Sequence, residues 1–324
     1  MRLKVSEETR ADRFVAGALK IGRNEARKLI EGGFVTGVKK PSQTLKQDDV
    51  IAVVLPPKPL EAQAPNVDFD IPILYEDDEL LAINKPAGVV AHPAPSHKGA
   101  TLVDWLKAKG FALSNIAGEE RLGIVHRLDK ETTGVLAIAK TNEAHVALSR
   151  QLEKREMGRY YLAIVDRALK GDLIVDRPIG RSPKDRVKMA IVAKGRAAKS
   201  SFLTLARLKN GEALIAAKLF SGRTHQIRVH LQSIGVHIVG DWLYGYKGAK
   251  DKIGATFLHA HRLYLRRPSS GETLVVEAPL PKPFLERLSL EEAYLNELLS
   301  ESRLCSRFGA TVGVRSAADD PFRS

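Results

Sequence analysis

Reactive residue types crowd together in one stretch of this chain, GIVHRLDKETTGVLAIAKT, from Gly123 to Thr141. An apolar run, Gly123 to Val125, leads into His126-Arg127-Leu128-Asp129. A polar turn from Lys130 to Gly134 follows, and then a second apolar run from Val135 to Ala139. The pattern predicts two short buried strands flanking a tight loop that carries a carboxylate among cations. A carboxylate just behind apolar residues is held firmly, and a neighbouring cation such as Arg127 or Lys130 favours its charged form. That suits a nucleophile or an electrostatic stabiliser better than a proton donor. A turn aspartate at a strand end is the ordinary alternative.

Two further stretches carry functional groups. In LFSGRTHQIRVHLQSIGVHIVGDWLYG, from Leu219 to Gly245, Ser221-Gly222 is expected to introduce a helix and Gly235 to end it. Thr224, Ile227, Leu231 and Ile234 then form one buried stripe. Arg228 sits at the edge of that stripe, where its guanidinium can turn into a cleft. His225 and His230 are five residues apart, a poor helical spacing for one zinc ion, and no metal is expected. The second stretch, Arg159 to Val165, reads as a strand in which Tyr160 and Tyr161 point to opposite faces. Its register decides which of the two meets the cleft.

These groups need a scaffold, and the totals allow one. The chain has 324 residues, 44% of them apolar, and a formal net charge of +13. Such an excess favours a polyanionic partner, nucleic acid first, although a solvated basic surface gives the same total. One cysteine excludes an internal disulfide framework and fits a reducing compartment. The charged N-terminus lacks a signal-like apolar core, and no apolar run approaches a membrane span. A soluble, cytoplasmic protein is expected. No Gly-rich phosphate loop occurs, so neither ATP nor NAD is implied and no cofactor is expected.

Taken in order, residues 1–54 read as a small module. It has helices over Ala11–Leu19 and Asn24–Glu31, followed by short strands. Arg23, Arg27 and Lys28 form a basic helix face able to meet a phosphate backbone, although a solvated helix face is the more ordinary cause of such a run. Prolines 56, 57, 59 and 65 make 55–70 a semi-rigid linker. The large domain is expected over 71–300. Strands are predicted at Ile71–Tyr75 and Leu80–Asn84, and Thr101 is expected to cap a helix running to Lys109. A helix follows over Asn142–Arg155, and further strands over Ser200–Ala206, Ala213–Phe220, Phe257–Leu265 and Thr273–Ala278. A last helix is expected over Pro281–Leu299. Between Pro178 and Lys199 lies the most basic part of the chain, read as hairpins whose Lys184 and Arg186 face the phosphates of a nucleic acid, with a solvated hairpin as the alternative. Lys85 is a phosphate contact or merely solvated. Residues 301–324 lack periodicity and are expected to form a mobile tail.

His126-Arg127-Leu128-Asp129 followed by Thr132-Thr133-Gly134 resembles the catalytic motif of the RluA-type pseudouridine synthases. LYEDDELLAINKPAGVVAHP resembles the family's first block. Arg159-x-Tyr161-x-Ala163 and Gly222-Arg223-x-His225-Gln226-x-Arg228 resemble two others. GRNEARKLIEGGFVTG and DDVIAVV resemble the alpha-L RNA-binding module of ribosomal protein S-four, although Ala11-Asp12-Arg13 departs from its usual start. The resemblance implies an α+β pseudouridine-synthase fold, a mixed, mostly antiparallel bent sheet flanked by helices, behind a small RNA-binding domain. It also implies an RNA isomerase with Asp129, Tyr161 and Arg228 as catalytic residues, and Tyr160 is the alternative tyrosine. Arg127 would fill the stack vacated by a flipped uridine, with His126 and Arg223 as further RNA contacts. Large-subunit ribosomal RNA is favoured over transfer RNA, and a monomer is expected. Asp129 either attacks C1′ or removes a sugar proton. A non-catalytic RNA-binding assembly factor on the same scaffold is the main rival reading.

Overall fold

The computed structural model describes residues 1–19, 21–54, 66–93, 97–247, 256–300, 304, 307 and 308. The chain divides into two compact units, Met1–Ala64 and Pro65–Ser324.

The first unit runs β1 (Arg2–Lys4), β2 (Thr9–Arg10), α1 (Ala11–Leu19), α2 (Arg23–Glu31), β3 (Val35–Thr36), β4 (Thr44–Leu45) and β5 (Val50–Val53). β5 pairs antiparallel with β1 on one side and β3 on the other, and β2 pairs with β4. Val15 from α1 and Ala26 and Ile30 from α2 close the core over Val35, Leu45, Ile51 and Val53. Asp12 lies in this interior at 1% exposure. Forked guanidinium groups of Arg10 and Arg23 clamp its carboxylate at 3.1–3.2 Å. Burial alone would raise the Asp12 pKa; the two arginines outweigh it and hold the group at about 2. Arg23 is thus exposed but paired with Asp12, and the pair ties α2 to α1. Arg27 and Lys28 lie on the exposed face, with Arg27 only 3.8 Å from Glu31.

The second unit continues with β6 (Ile73–Glu76), β7 (Leu80–Lys85), α3 (Leu102–Ala108), β8 (Thr133–Ala139), α4 (Asn142–Glu153) and β9 (Gly158–Val165). Then come β10 (Leu173–Asp176), β11 (Ile179–Arg181), β12 (Met189–Ile191), β13 (Lys199–Arg207), β14 (Ala213–Leu219) and α5 (Gln226–Gln232). β15 (Leu258–Arg266), β16 (Thr273–Glu277), α6 (Lys282–Leu288) and α7 (Glu292–Leu299) complete it. The main sheet has the order β10-β13-β14-β9-β15-β8-β7-β6, with β16 added beside the far end of β15. Every pair is antiparallel except β8 with β15. Runs such as Val135–Ala139 and Leu162–Val165 are buried throughout, because the central strands are covered on both faces.

Short-range chemistry accounts for several elements. Thr101 caps α3 in a reciprocal box with Asp104, and Trp105 and Leu106 turn inward. Thr141 caps α4 through the Ala144 amide. Gly134 has φ +111°, and a Cβ there would come within 2.2 Å of the Ala260 carbonyl oxygen. Only glycine permits β8 to approach β15 that closely.

Four expectations are corrected. Gly123–Val125 is no strand; Ile124 makes an isolated bridge to Ile138, and residues 126–132 form a loop that ends in a tight turn. The helix expected to begin after Gly222 starts only at Gln226, because His225 takes a left-handed conformation, φ 56°. It ends at Gln232, which leaves Ile234 outside the stripe and 38% exposed. Pro281–Leu299 is two helices, since Ser289 turns left-handed at φ 47° and breaks the ladder. Of the tail, Leu304 and Phe308 are buried, and the Phe308 ring lies 5.7 Å from that of Tyr160, tilted by 53°. The rest of 301–324, and most of the linker 55–70, lie outside the described residues.

Candidate active site

The site is built on the loop that enters β8. Its backbone is fixed at several points. The Ala137 amide of β8 donates to His126 Nε2 at 3.0 Å. The Thr132 amide closes a turn onto the Asp129 carbonyl at 3.1 Å, and the Gly88 amide donates to the Lys130 carbonyl at 3.0 Å. Lys85, with 0% exposure, aims its ammonium at the carbonyls of Pro86, Val89 and Lys130 at 2.8–3.0 Å. Burial pulls its pKa down to about 7, while the Asp129 and Glu131 charges and the three carbonyl acceptors favour the ammonium. Lys85 is thus a tether for the Asp129 loop, neither a phosphate contact nor solvated. Thr133 and His259 Nδ1 join β8 to β15 at 2.7 Å, and His259 Nε2 meets the Ala278 carbonyl at 3.1 Å.

Asp129 faces a cleft also lined by Arg127, Thr132, Arg159, Tyr161, Gly222, Arg223, His225 and Arg228. The cleft opens to solvent at its mouth. Arg228 Nη1 lies 3.6 Å from Asp129 Oδ2. The rest of that guanidinium is committed elsewhere. Nε and Nη2 donate to the buried Asp241 carboxylate at 2.7 and 2.8 Å, and the fork lies 4.8 Å over the Tyr244 ring. Burial works to lower the Arg228 pKa, yet the Asp241 hydrogen bonds and the charges of Asp241 and Asp129 raise it. Tyr244 is itself fixed, accepting from the Met189 amide at 2.9 Å and meeting His225 Nδ1 at 2.7 Å. The result is a permanently charged, immobilised cation beside Asp129.

β9 supplies the opposite wall. Tyr161 lines the cleft, whereas Tyr160 packs on Tyr264 and Phe308 in the core. Burial drives the Tyr161 hydroxyl up to about 12, with the Arg159 charge opposing and the Asp129 charge adding. The phenol is therefore neutral at pH 7. Arg159, two residues earlier on the same face, is only 8% exposed. Its Nε is shut off from water without a partner, and the guanidinium makes no hydrogen bond or ion pair among the described residues. Burial, and the like charge of Arg223, lower its pKa even though Tyr161 opposes them.

Gln226 organises the turn before α5. Its amide donates to the Lys199 carbonyl and Ser200 Oγ, and its carbonyl accepts from Ser221 Oγ and the Arg223 amide, all at 2.8–3.0 Å. Arg223 lines the cleft and donates from Nε to the Ala197 carbonyl at 3.0 Å. His230 uses both ring nitrogens, on Ser200 Oγ and the Arg177 carbonyl. Arg127 is exposed at the rim. Lys184 and Arg186 are exposed at the tip of the β11–β12 hairpin. His126 is corrected: its Nε2 is occupied by the sheet, and burial together with the Arg159 charge pushes its pKa down to about 3. It is a neutral spacer of the loop rather than an RNA-binding cation.

Asp241, Tyr244, Arg159 and Lys85 received no catalytic assignment from sequence. Asp241 and Tyr244 stand in the same block as Arg228, but nothing in that spacing reveals a pairing thirteen residues away.

The comparisons agree with this architecture. The family pattern described as RNA pseudouridylate synthase matches residues 79–233. An uncharacterised RNA pseudouridine synthase of Helicobacter pylori is 42% identical over 316 residues, covering 92% of this chain and 95% of the relative. The ribosomal large subunit pseudouridine synthase D of Pseudomonas aeruginosa is 42% identical over 235 residues, 69% of this chain and 72% of that one. Among solved structures, human RNA pseudouridylate synthase domain containing 4 is 28% identical with a TM-score of 0.52, covering 68% of this chain and 94% of its own. The chain belongs to the RluA-type RNA pseudouridine synthases, isomerases that act on RNA.

Proposed function

We propose that this chain isomerises uridines of large-subunit ribosomal RNA, with Asp129 as the reacting carboxylate. The observation that carries the reading is the carboxylate itself. It stands in a solvent-open cleft, 3.6 Å from an arginine locked by Asp241. The relative named for the ribosomal large subunit supports the substrate.

The reaction breaks N1–C1′, turns the freed uracil and joins carbon 5 to C1′. A sugar leaving group needs two carboxyl groups, whereas uracil departs as a stabilised anion and one suffices. Asp129 either bonds to C1′ or removes the C2′ proton; a deuterium isotope effect at C2′ separates the two routes. The Tyr161 ring supplies the face on which the pyrimidine stacks. Its hydroxyl stays protonated, so the carbon-5 proton passes to a carboxylate or to water rather than to a standing phenolate. A paired uridine cannot enter such a cleft, so the target flips out and Arg127 at the rim takes its place in the stack. The exposed cations of Arg27, Lys28, Lys184 and Arg186 hold the phosphate backbone.

The test is Asp129→Asn, assayed by tritium release from 5-tritiated large-subunit RNA. The expected result is no release with RNA affinity within a few-fold of wild type. Retained turnover refutes the role of Asp129. Pseudouridine mapping in a deletion strain tests the substrate, and sites missing from transfer RNA alone refute the ribosomal assignment.

A further inference from the structure

An anionic leaving group needs a partner in the cleft. Arg228 cannot serve, because Asp241 holds two of its nitrogens and the third faces Asp129. Arg223 gives its Nε to Ala197, and Arg127 is exposed at the rim, where water screens it. Arg159 differs from all three. It is more than nine-tenths buried and lines the cleft on the same strand face as Tyr161. Among the described residues its guanidinium has no protein acceptor. A buried unpaired charge is costly, and folding alone gives no reason to keep one.

We infer that Arg159 is a catalytic residue that takes the charge of the departing uracil, donating to its carbonyl oxygens. This rests on the reading of Asp129 as the group that meets C1′. When N1–C1′ breaks, the electron pair leaves with the ring and spreads over N1, O2 and O4. Arg159 neither gives nor accepts a proton; its N–H groups bond more strongly to those oxygens as their charge grows. The same charge is worth little in the neutral ground state, so the contact accelerates the step rather than tightening binding. Gly222 keeps the space open: a Cβ there would lie 2.7 Å from Arg159 Nη1.

Arg159→Met tests this with the full-length protein and large-subunit RNA from a strain lacking the gene. The single-turnover rate at saturating enzyme should fall about 100-fold, as for loss of one preorganised donor. RNA affinity should stay within two-fold, and the slope of log affinity against log salt should not change. Arg159→Lys, which keeps the charge without the fork, should fall between. Gly222→Ala, which displaces the guanidinium tip without removing it, should slow the reaction at least ten-fold. Thermal unfolding of Arg159→Met should come no lower than wild type, since an unpaired charge has been removed.

A single-turnover rate within three-fold of wild type overturns the inference. So does weaker binding with a salt slope reduced by about one, which marks a phosphate contact instead. If Arg159→Met fails to fold, the rates of Arg159→Lys and Gly222→Ala decide by the same criteria. Turnover by Asp129→Asn under these conditions would instead refute the underlying reading and leave the Arg159 rates to be judged separately.

Discussion

Asp241→Asn isolates the clamp behind Arg228, the arginine beside Asp129. The native carboxylate accepts two charge-assisted hydrogen bonds from Arg228, at 2.7 and 2.8 Å, with side chains only 10% and 2% exposed. Asparagine keeps one acceptor and turns an N–H toward the other guanidinium N–H. One strong bond is lost, and the guanidinium stays buried with half its countercharge gone. Removing one partner of such a pair costs about 3–5 kcal/mol. At a urea m-value of about 3 kcal/mol/M, the midpoint should fall by about 1–1.7 M. Both tryptophans, Trp105 and Trp242, lie in the second unit, so their fluorescence follows this unit alone. The double replacement Arg228→Met with Asp241→Leu removes both charges and should recover most of that loss, while isomerisation stays absent. A midpoint shift under about 0.3 M for Asp241→Asn would refute the argument. So would a double variant no more stable than the single one.

Three other outcomes are expected. His259 has its pKa lowered to about 4 by burial, against which the Ala278 carbonyl works. Its neutral form is favoured in the fold, so the unfolded chain binds the extra proton between pH 4 and 6.5. The associated stability, about 3 kcal/mol, is present above pH 6.5 and is lost as pH falls to 4. His259→Gln should flatten urea midpoints measured across that window, and an unchanged slope would contradict the assignment. Gly134→Ala must displace the Ala260 carbonyl from 2.2 Å and should cost about 3 kcal/mol or more, read as a lowered midpoint together with lost turnover. Lys184→Ala and Arg186→Ala should each weaken RNA binding uniformly and lower the salt slope by about one, with single-turnover rates at saturation unchanged.

The sequence was most legible where local rules dominate. Alternating apolar runs marked the buried strands, and Thr101 marks the start of a helix through its side-chain cap. Asp129, Tyr161 and Arg228 come from a loop, a strand and a helix, and motif resemblance singled them out where spacing alone left Tyr160 open. Long-range partners could not be read. Lys85 looks like a surface cation beside a Pro-Ala-Gly turn, yet it is sealed beneath three carbonyls. Arg23 looks like one of a basic row, yet Asp12, eleven residues away, claims it. Left-handed backbone at His225 and Ser289 reset two helix boundaries, because neither residue type announces that conformation.

The close meeting of Gly134 with Ala260 also orders events during synthesis. A parallel pair of strands needs a long crossover, and here the partner of Thr133 is His259, more than a hundred residues downstream. The loop bearing Asp129 is translated early but gains its neighbouring strand only when residues near 260 have left the ribosome. Contacts so distant along the chain form slowly. A nascent chain halted before β15 lacks the strand that braces the Asp129 loop, so that loop reaches its native setting only late in synthesis.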